Sequence, residues 1–314
     1  MTRKTFRIVP SIFLLWSLIA CSTDREMIRS TSAHKEDRLI ELLDQGGNAK
    51  LRDKSGEPII SLAIRSGSDI RAIESLLSHG ASADEANSYG KTPLMWAAET
   101  NRVDVMKLLL AKGAHVDARA REGWSALFYA AQADKVEAAE FLLSKGADFK
   151  TPDSAGRTCL MNAANVGSER LVNKFLDLGA DIKARTASKR NAFVWAADER
   201  QTNIMLLLLR RGTPINEADI GGMTPLYYAT ALPSMEVTLD LLNRGANPNI
   251  ASSMGRTPLM NVARMGRLDI VKLLVERGAD VNMRDWFRKS AIVLARNEGH
   301  LDVVQYLRSK GAVD

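Results

Sequence analysis

The sequence predicts an all-α fold of stacked helix-turn-helix units joined by short hairpin-like turns, and three observations predict it. The first is a Gly-Ala-like pair recurring every 33 residues: Gly80-Ala81, Gly113-Ala114, Gly146-Ala147, Gly179-Ala180, Gly212-Thr213, Gly245-Ala246, Gly278-Ala279 and Gly311-Ala312. The second is a parallel series, Gly56, Gly90, Gly123, Gly156, Lys189, Gly222, Gly255 and Arg288, spaced by 33 except for a first interval of 34. The third is an apolar helix before each Gly-Ala pair, such as Val105-Met106 with Leu108-Leu109-Leu110, or Ile270-Val271 with Leu273-Leu274. A period of this length marks supersecondary units that bury their apolar faces only against neighbours.

Each part of the unit has a physical task. Three copies open with Gly-x-Thr-Pro-Leu, at Gly90–Leu94, Gly222–Leu226 and Gly255–Leu259. Thr is placed to cap a helix, and Pro follows at the first helical position, where its missing N–H costs nothing. Ala97-Ala98, Ala130-Ala131, Ala163-Ala164 and Ala196-Ala197 keep the first helix slim, so that neighbouring units approach closely. The second helix carries the apolar load, and acidic residues near its start (Asp104, Glu137, Asp269, Asp302) suit the helix dipole. The closing Gly supplies a left-handed residue. Lys189, in place of that turn's Gly, would cost about 1–2 kcal/mol if it keeps the left-handed backbone.

These residues resemble the ankyrin repeat over about residues 36–314. The resemblance implies repeats at 53–86, 87–119, 120–152, 153–185, 186–218, 219–251, 252–284 and 285–314. A degenerate half repeat would precede them, with Leu39-Ile40 and Leu42-Leu43 before Gly46-Gly47. The extra residue of 53–86 falls around Gly67-Ser68, where a loop tolerates it. The family's His after Pro-Leu is replaced by Met95, Phe128, Met161, Val194, Tyr227, Met260 and Val293, so apolar contact is expected to replace its hydrogen bond. Arg308 stands where the other second helices carry Leu or Val, as a terminal repeat would require.

Residues 1–20 stand outside this pattern. Arg3, Lys4 and Arg7 precede an apolar run from Ile8 to Ala20, too short to span a bilayer of about 30 Å and typical of a secretory signal. Leu18-Ile19-Ala20-Cys21 resembles the lipobox of bacterial lipoproteins. That resemblance implies cleavage before Cys21 and acylation of Cys21. Two or three chains, at about 0.8 kcal/mol per CH₂, would hold durably to a membrane. Ser22, by similarity to lipoproteins of two-membrane bacteria, favours the outer membrane facing the periplasm, with surface display as the alternative. The polar stretch 21–35 is expected to be a flexible lipid-anchored tether.

The formal charge of +6 falls to +3 without Arg3, Lys4 and Arg7, leaving 40 basic and 37 acidic residues. A nucleic-acid partner is therefore not expected. Cys21 and Cys159 are the two cysteines, so no disulfide framework is expected, and Cys159 reads as a structural thiol. His34, His79, His115 and His300 lack metal-ligand spacing, and no phosphate-cradling loop or nucleophile motif occurs. The chain reads as a binding protein, with no catalytic activity, cofactor, metal or small-molecule substrate expected.

Ankyrin-like stacks commonly hold a protein on a concave face of turn tips and first helices. Counting four and eight residues from the position after the turn Gly gives stripes such as Lys91-Met95-Glu99, Trp124-Phe128-Gln132, Met223-Tyr227-Ala231 and Arg256-Met260-Arg264. The leading position is basic in five of eight units (Lys91, Arg157, Arg190, Arg256, Lys289), the exceptions being Glu57, Trp124 and Met223. Arg119, Arg185 and Arg284 would extend this cationic ladder, as would Arg121 and Arg264. An acidic segment of another protein is the expected partner. Tyr89, Trp286 and Phe287 are apolar groups at turn tips, where they either fold back on the array or meet the partner. Trp96, Tyr129, Trp195 and Tyr228 read as packing between repeats. Two alternative functions stay open: an envelope inhibitor or immunity-type protein, and a surface-displayed host-interaction protein.

Overall fold

Slim first helices and apolar second helices alternate along the chain, as the 33-residue period requires. The computed structural model describes residues 22–313, so the signal-peptide expectation and the lipidation expectation at Cys21 lie outside the described residues. The chain divides into two compact units, Met1–Asp148 and Phe149–Asp314. The first unit contains α1 (residues 22–32), α2 (Glu36–Asp44), α3 (Ile59–Ser66), α4 (Ile70–Ser78), α5 (Pro93–Glu99), α6 (Val103–Ala111), α7 (Ala126–Gln132) and α8 (Val136–Ser144). The second contains α9 (Cys159–Val166), α10 (Glu169–Asp177), α11 (Ala192–Asp198), α12 (Thr202–Arg210) and α13 (Pro225–Ala229). It continues with α14 (Glu236–Asn243), α15 (Pro258–Arg264), α16 (Leu268–Glu276), α17 (Ala291–Asn297) and α18 (Leu301–Ser309). Among the described residues there is no strand, only the isolated bridge between Arg52 and Pro58.

In the first unit α3, α5 and α7 pack side by side, and α2, α4, α6 and α8 form a second row. The second unit repeats the arrangement with α9, α11, α13, α15 and α17 as its first-helix row. The paired alanines of the first helices are buried, which lets the rows close up. Capping follows the sequence signals. Thr92, Thr224 and Thr257 accept hydrogen bonds from the backbone N–H of Met95, Tyr227 and Met260, each with Pro at the first helical position. Ser125, Thr158 and Asn191 cap α7, α9 and α11 in the same way without Pro. Lys189 and Arg288 hold left-handed backbones, φ 59° and 60°, where the other turns use Gly.

Adjacent repeats are also stapled by one recurring position ahead of the second helix. Arg102 donates to the Ser68 carbonyl, Gln201 to that of Asn165, and Arg267 to those of Leu232 and Pro233. His300 lies 3.1 Å from the Arg264 carbonyl, its ring against Gly266, where a Cβ would stand 2.5 Å away.

The N-terminal expectation is corrected. Residues 22–32 form a helix, not a flexible tether, and with α2 they complete a helix pair, where the sequence suggested half a repeat. Met27, Ser30 and Thr31 are buried at i, i+3 and i+4, one helical face. The Thr31 carbonyl accepts from Ser66 Oγ at 3.2 Å, and Arg38 pairs with Glu26 at 2.9 Å. A Cβ on Gly47 would lie 2.6 Å from Met27 Sδ, so this Gly permits the close approach. With one large apolar residue on its buried face, the segment gives almost no hydrophobic period.

Candidate functional site

The first unit carries an open cavity of about 460 Å³ at the turn-tip end of its first helices. Tyr89, Trp96, Trp124 and Tyr129 line it together with Glu57, Arg65, Lys91 and Glu122. Three turn arms and three helices, α3, α5 and α7, position these groups. Glu57, Lys91 and Trp124 follow turn Gly residues, while Trp96 and Tyr129 stand on the exposed sides of α5 and α7.

The cavity wall is a connected polar and aromatic network. The buried Glu57 carboxylate accepts from Trp96 Nε1 at 2.9 Å and from Asn87 Nδ2 at 2.8 Å. Lys91, also buried, sends its Nζ between two rings, 3.5 Å from the Trp96 centroid and 4.0 Å from that of Tyr129. The ammonium ends on Glu99 Oε2 at 2.6 Å. Burial pushes Lys91 below the ordinary lysine pKa, against the opposing pull of Glu99. Burial also raises the Tyr129 phenol to about 12, with Glu122 and Glu99 adding to the effect. Trp124 packs 5.2 Å from the ring centres of both Phe128 and Tyr129. Tyr89 stands at the rim, 65% exposed. Rigid aromatic faces beside fixed charges can clasp an apolar or aromatic side chain and orient the charges around it.

The cationic ladder is corrected. Arg157 pairs with Asp153 at 2.8 Å, Arg190 with Asp198, and Arg256 with Asp285 at 3.6 Å, while Lys91 is held by Glu99. Arg119 donates to its own turn at the Gly123 carbonyl and pairs with Asp148 at 3.1 Å. Arg185 and Arg284 likewise donate to the carbonyls of residues 189 and 288, so these arginines fasten hairpins. Arg121, Arg264 and Lys289 are exposed and form no ion pair among the described residues. Sequence spacing could not show this, because the neutralising carboxylates come from other parts of the turn, the next hairpin or the helix end.

The stripes counted from the residue after each turn Gly are corrected too, since their middle members make the apolar contact expected in place of the family's His and do not line an open face. Met95, Phe128, Met161, Val194 and Met260 are buried between repeats. The residues one place further, Trp96, Tyr129, Trp195 and Tyr228, are half-exposed instead. The physical reason is phase: Lys91 and its equivalents lie in the extended arm before the cap, and α5 begins at Pro93, so four-residue spacing from Lys91 does not follow a helix. Trp96 and Tyr129, first read as packing residues, line the cavity, and Glu57 and Arg65 join them. A buried Glu opposite a Trp indole N–H leaves no trace in a one-dimensional pattern. In the second unit, Met223 is half-buried against Gly221, and Trp286 and Phe287 stay exposed at their turn tip.

Stacked helix pairs with a hairpin between each pair and a side-chain cavity at the tips define a repeat module built for binding. The family model "Ankyrin repeats (3 copies)" matches residues 29–120, 117–186, 160–252 and 233–314. The chain belongs to the ankyrin-repeat family, whose arrays are protein–protein interaction domains and generally non-catalytic scaffolds. No curated protein matches it.

Proposed function

We propose that this chain is a lipid-anchored binding protein of the bacterial envelope that grips a segment of another protein at the aromatic cavity of its first unit. The cavity itself carries the reading: four aromatic side chains converge on one opening, with the Trp96 indole N–H held by Glu57, which Asn87 braces, and the Lys91 ammonium held by Glu99. A partner's apolar side chain fills the opening. Arg65 and Arg121, exposed and outside any ion pair among the described residues, meet an acidic flank of the same segment. The envelope address rests on the basic start, the apolar run and Leu18-Ile19-Ala20-Cys21, directly ahead of α1.

Two measurements test this. Capture from an envelope extract on the full chain should yield a partner whose affinity falls at least about ten-fold in Tyr89→Ala and further with Trp124→Ala added. Tyr89 is exposed, so its removal leaves the fold intact, and unchanged affinity would sink the cavity reading. Cells supplied with labelled fatty acid should mark the chain but not Cys21→Ala; persistent label would end the anchoring account.

A further inference from the structure

The second unit has a surface of different chemistry that the cavity does not use. At one position in its successive turn tips stand Ala187, Ile220, Ser253 and Trp286, followed by Ser188, Gly221, Met254 and Phe287. Ile220 is 70% exposed, Met254 44%, Trp286 75% and Phe287 60%. Large apolar groups so open to water are costly unless something covers them. Trp286 does not fold away: its ring lies over Gly255, where a Cβ would stand 3.0 Å from Cδ1, and the rest faces outward.

Charge at the same tips has one sign. Lys189, Arg288 and Lys289 are exposed and form no ion pair among the described residues. The tip carboxylates turn inward: Asp219 accepts from the Met223 N–H at 2.9 Å and the Tyr228 hydroxyl at 2.6 Å. Asp285 accepts from the N–H groups of Phe287 and Lys289, both at 2.9 Å. Glu217, exposed nearby, is paired with Arg185. The tips also satisfy their own backbone. Ile220 N–H donates to the Ser188 carbonyl at 3.0 Å, Ser253 to Gly221 at 2.7 Å and Trp286 to Met254 at 3.2 Å. Such an edge can leave bulk water without stranding these donors.

We propose that the turn tips of the second unit, led by Trp286 and Phe287, dock on the surface of an anionic lipid bilayer. Trp and Phe enter the headgroup layer, and Lys189, Arg288 and Lys289 meet lipid phosphates. Isolated aromatic groups standing on hairpin tips beside free cations suit an interface that deforms around them, whereas a protein partner would offer them matched pockets. This inference stands apart from the cavity of the first unit.

The test uses the full chain with vesicles of phosphatidylcholine alone or mixed with phosphatidylglycerol, both with brominated acyl chains that quench tryptophan on contact. Parent protein and Trp286→Phe share residues 1–21, so any quenching of Trp16 is common to both. The expected result is a quenched component present in the parent, absent in Trp286→Phe, and seen only with phosphatidylglycerol. Arg288→Glu with Lys289→Glu should remove it. Trp286→Ser with Phe287→Ser should weaken partition into the anionic vesicles about ten-fold. Trp286 emission unmoved by anionic vesicles, or quenched equally without phosphatidylglycerol, would overturn the proposal. So would a protein that shields Trp286 when vesicles do not.

Discussion

In the first unit the turn tips read Lys54-Ser55, Ser88-Tyr89 and Arg121-Glu122, while the last three of the second read Ile220-Gly221, Ser253-Met254 and Trp286-Phe287. The hairpins are built alike. A left-handed residue ends each tip, and backbone bonds join neighbours, as from Arg121 N–H to the Tyr89 carbonyl at 3.0 Å or from Trp286 to Met254. What differs is where the aromatic groups go. In the first unit they line a cavity closed behind by a buried carboxylate, whereas in the second they stand in solvent among cations. Because backbone bonds and left-handed residues carry the turn, tip side chains are released from structural duty and can be specialised for different partners.

This contrast predicts opposite responses to mutation. Glu57→Ala leaves the Trp96 indole N–H and the Asn87 amide without their acceptor in a half-buried wall, and should cost about 1–3 kcal/mol in denaturant unfolding. Trp286→Ser, at an exposed tip, should stay within about 0.5 kcal/mol of the parent. Equal losses would break the distinction between a built site and a free edge.

A smaller effect appears in the pH dependence of the cavity wall. The Tyr129 phenol is raised to about 12 by burial, so its neutral form is favoured in the folded state. Its contribution to stability is fully present below the ordinary tyrosine value near 10 and is lost as pH rises through about 12. Tyr129→Phe should delete one ionisation near pH 12 from the ultraviolet titration and flatten the decline of the unfolding midpoint between about pH 10 and 12. A titration indistinguishable from the parent would show that the ring is not enclosed as described.

Much of the fold was legible because its determinants are local. The 33-residue period, the Thr-Pro caps at α5, α13 and α15, and the left-handed residue at each turn all follow from neighbours in sequence. Lys189 keeps the left-handed backbone that its alignment with turn glycines implied. The site was less legible. The sequence marks Tyr89 as a tip residue and Lys91 and Trp124 as leading positions of their stripes, but Glu57, Arg65, Trp96 and Tyr129 complete the cavity through contacts 30 to 39 residues apart, as between Glu57 and Asn87 or Trp96.

The sequence by itself determined the repeat, its helix boundaries and which positions form turns, because caps, glycines and apolar periods act within one or two turns of chain. Only the tertiary structure decided that the polar segment 22–32 is a packed helix and that the arginine ladder is largely neutralised. It also decided which face of the first helix meets its neighbour. Those outcomes depend on which groups stacking brings within a few ångströms, and the energy of an ion pair or a buried contact belongs to that distance rather than to spacing along the chain.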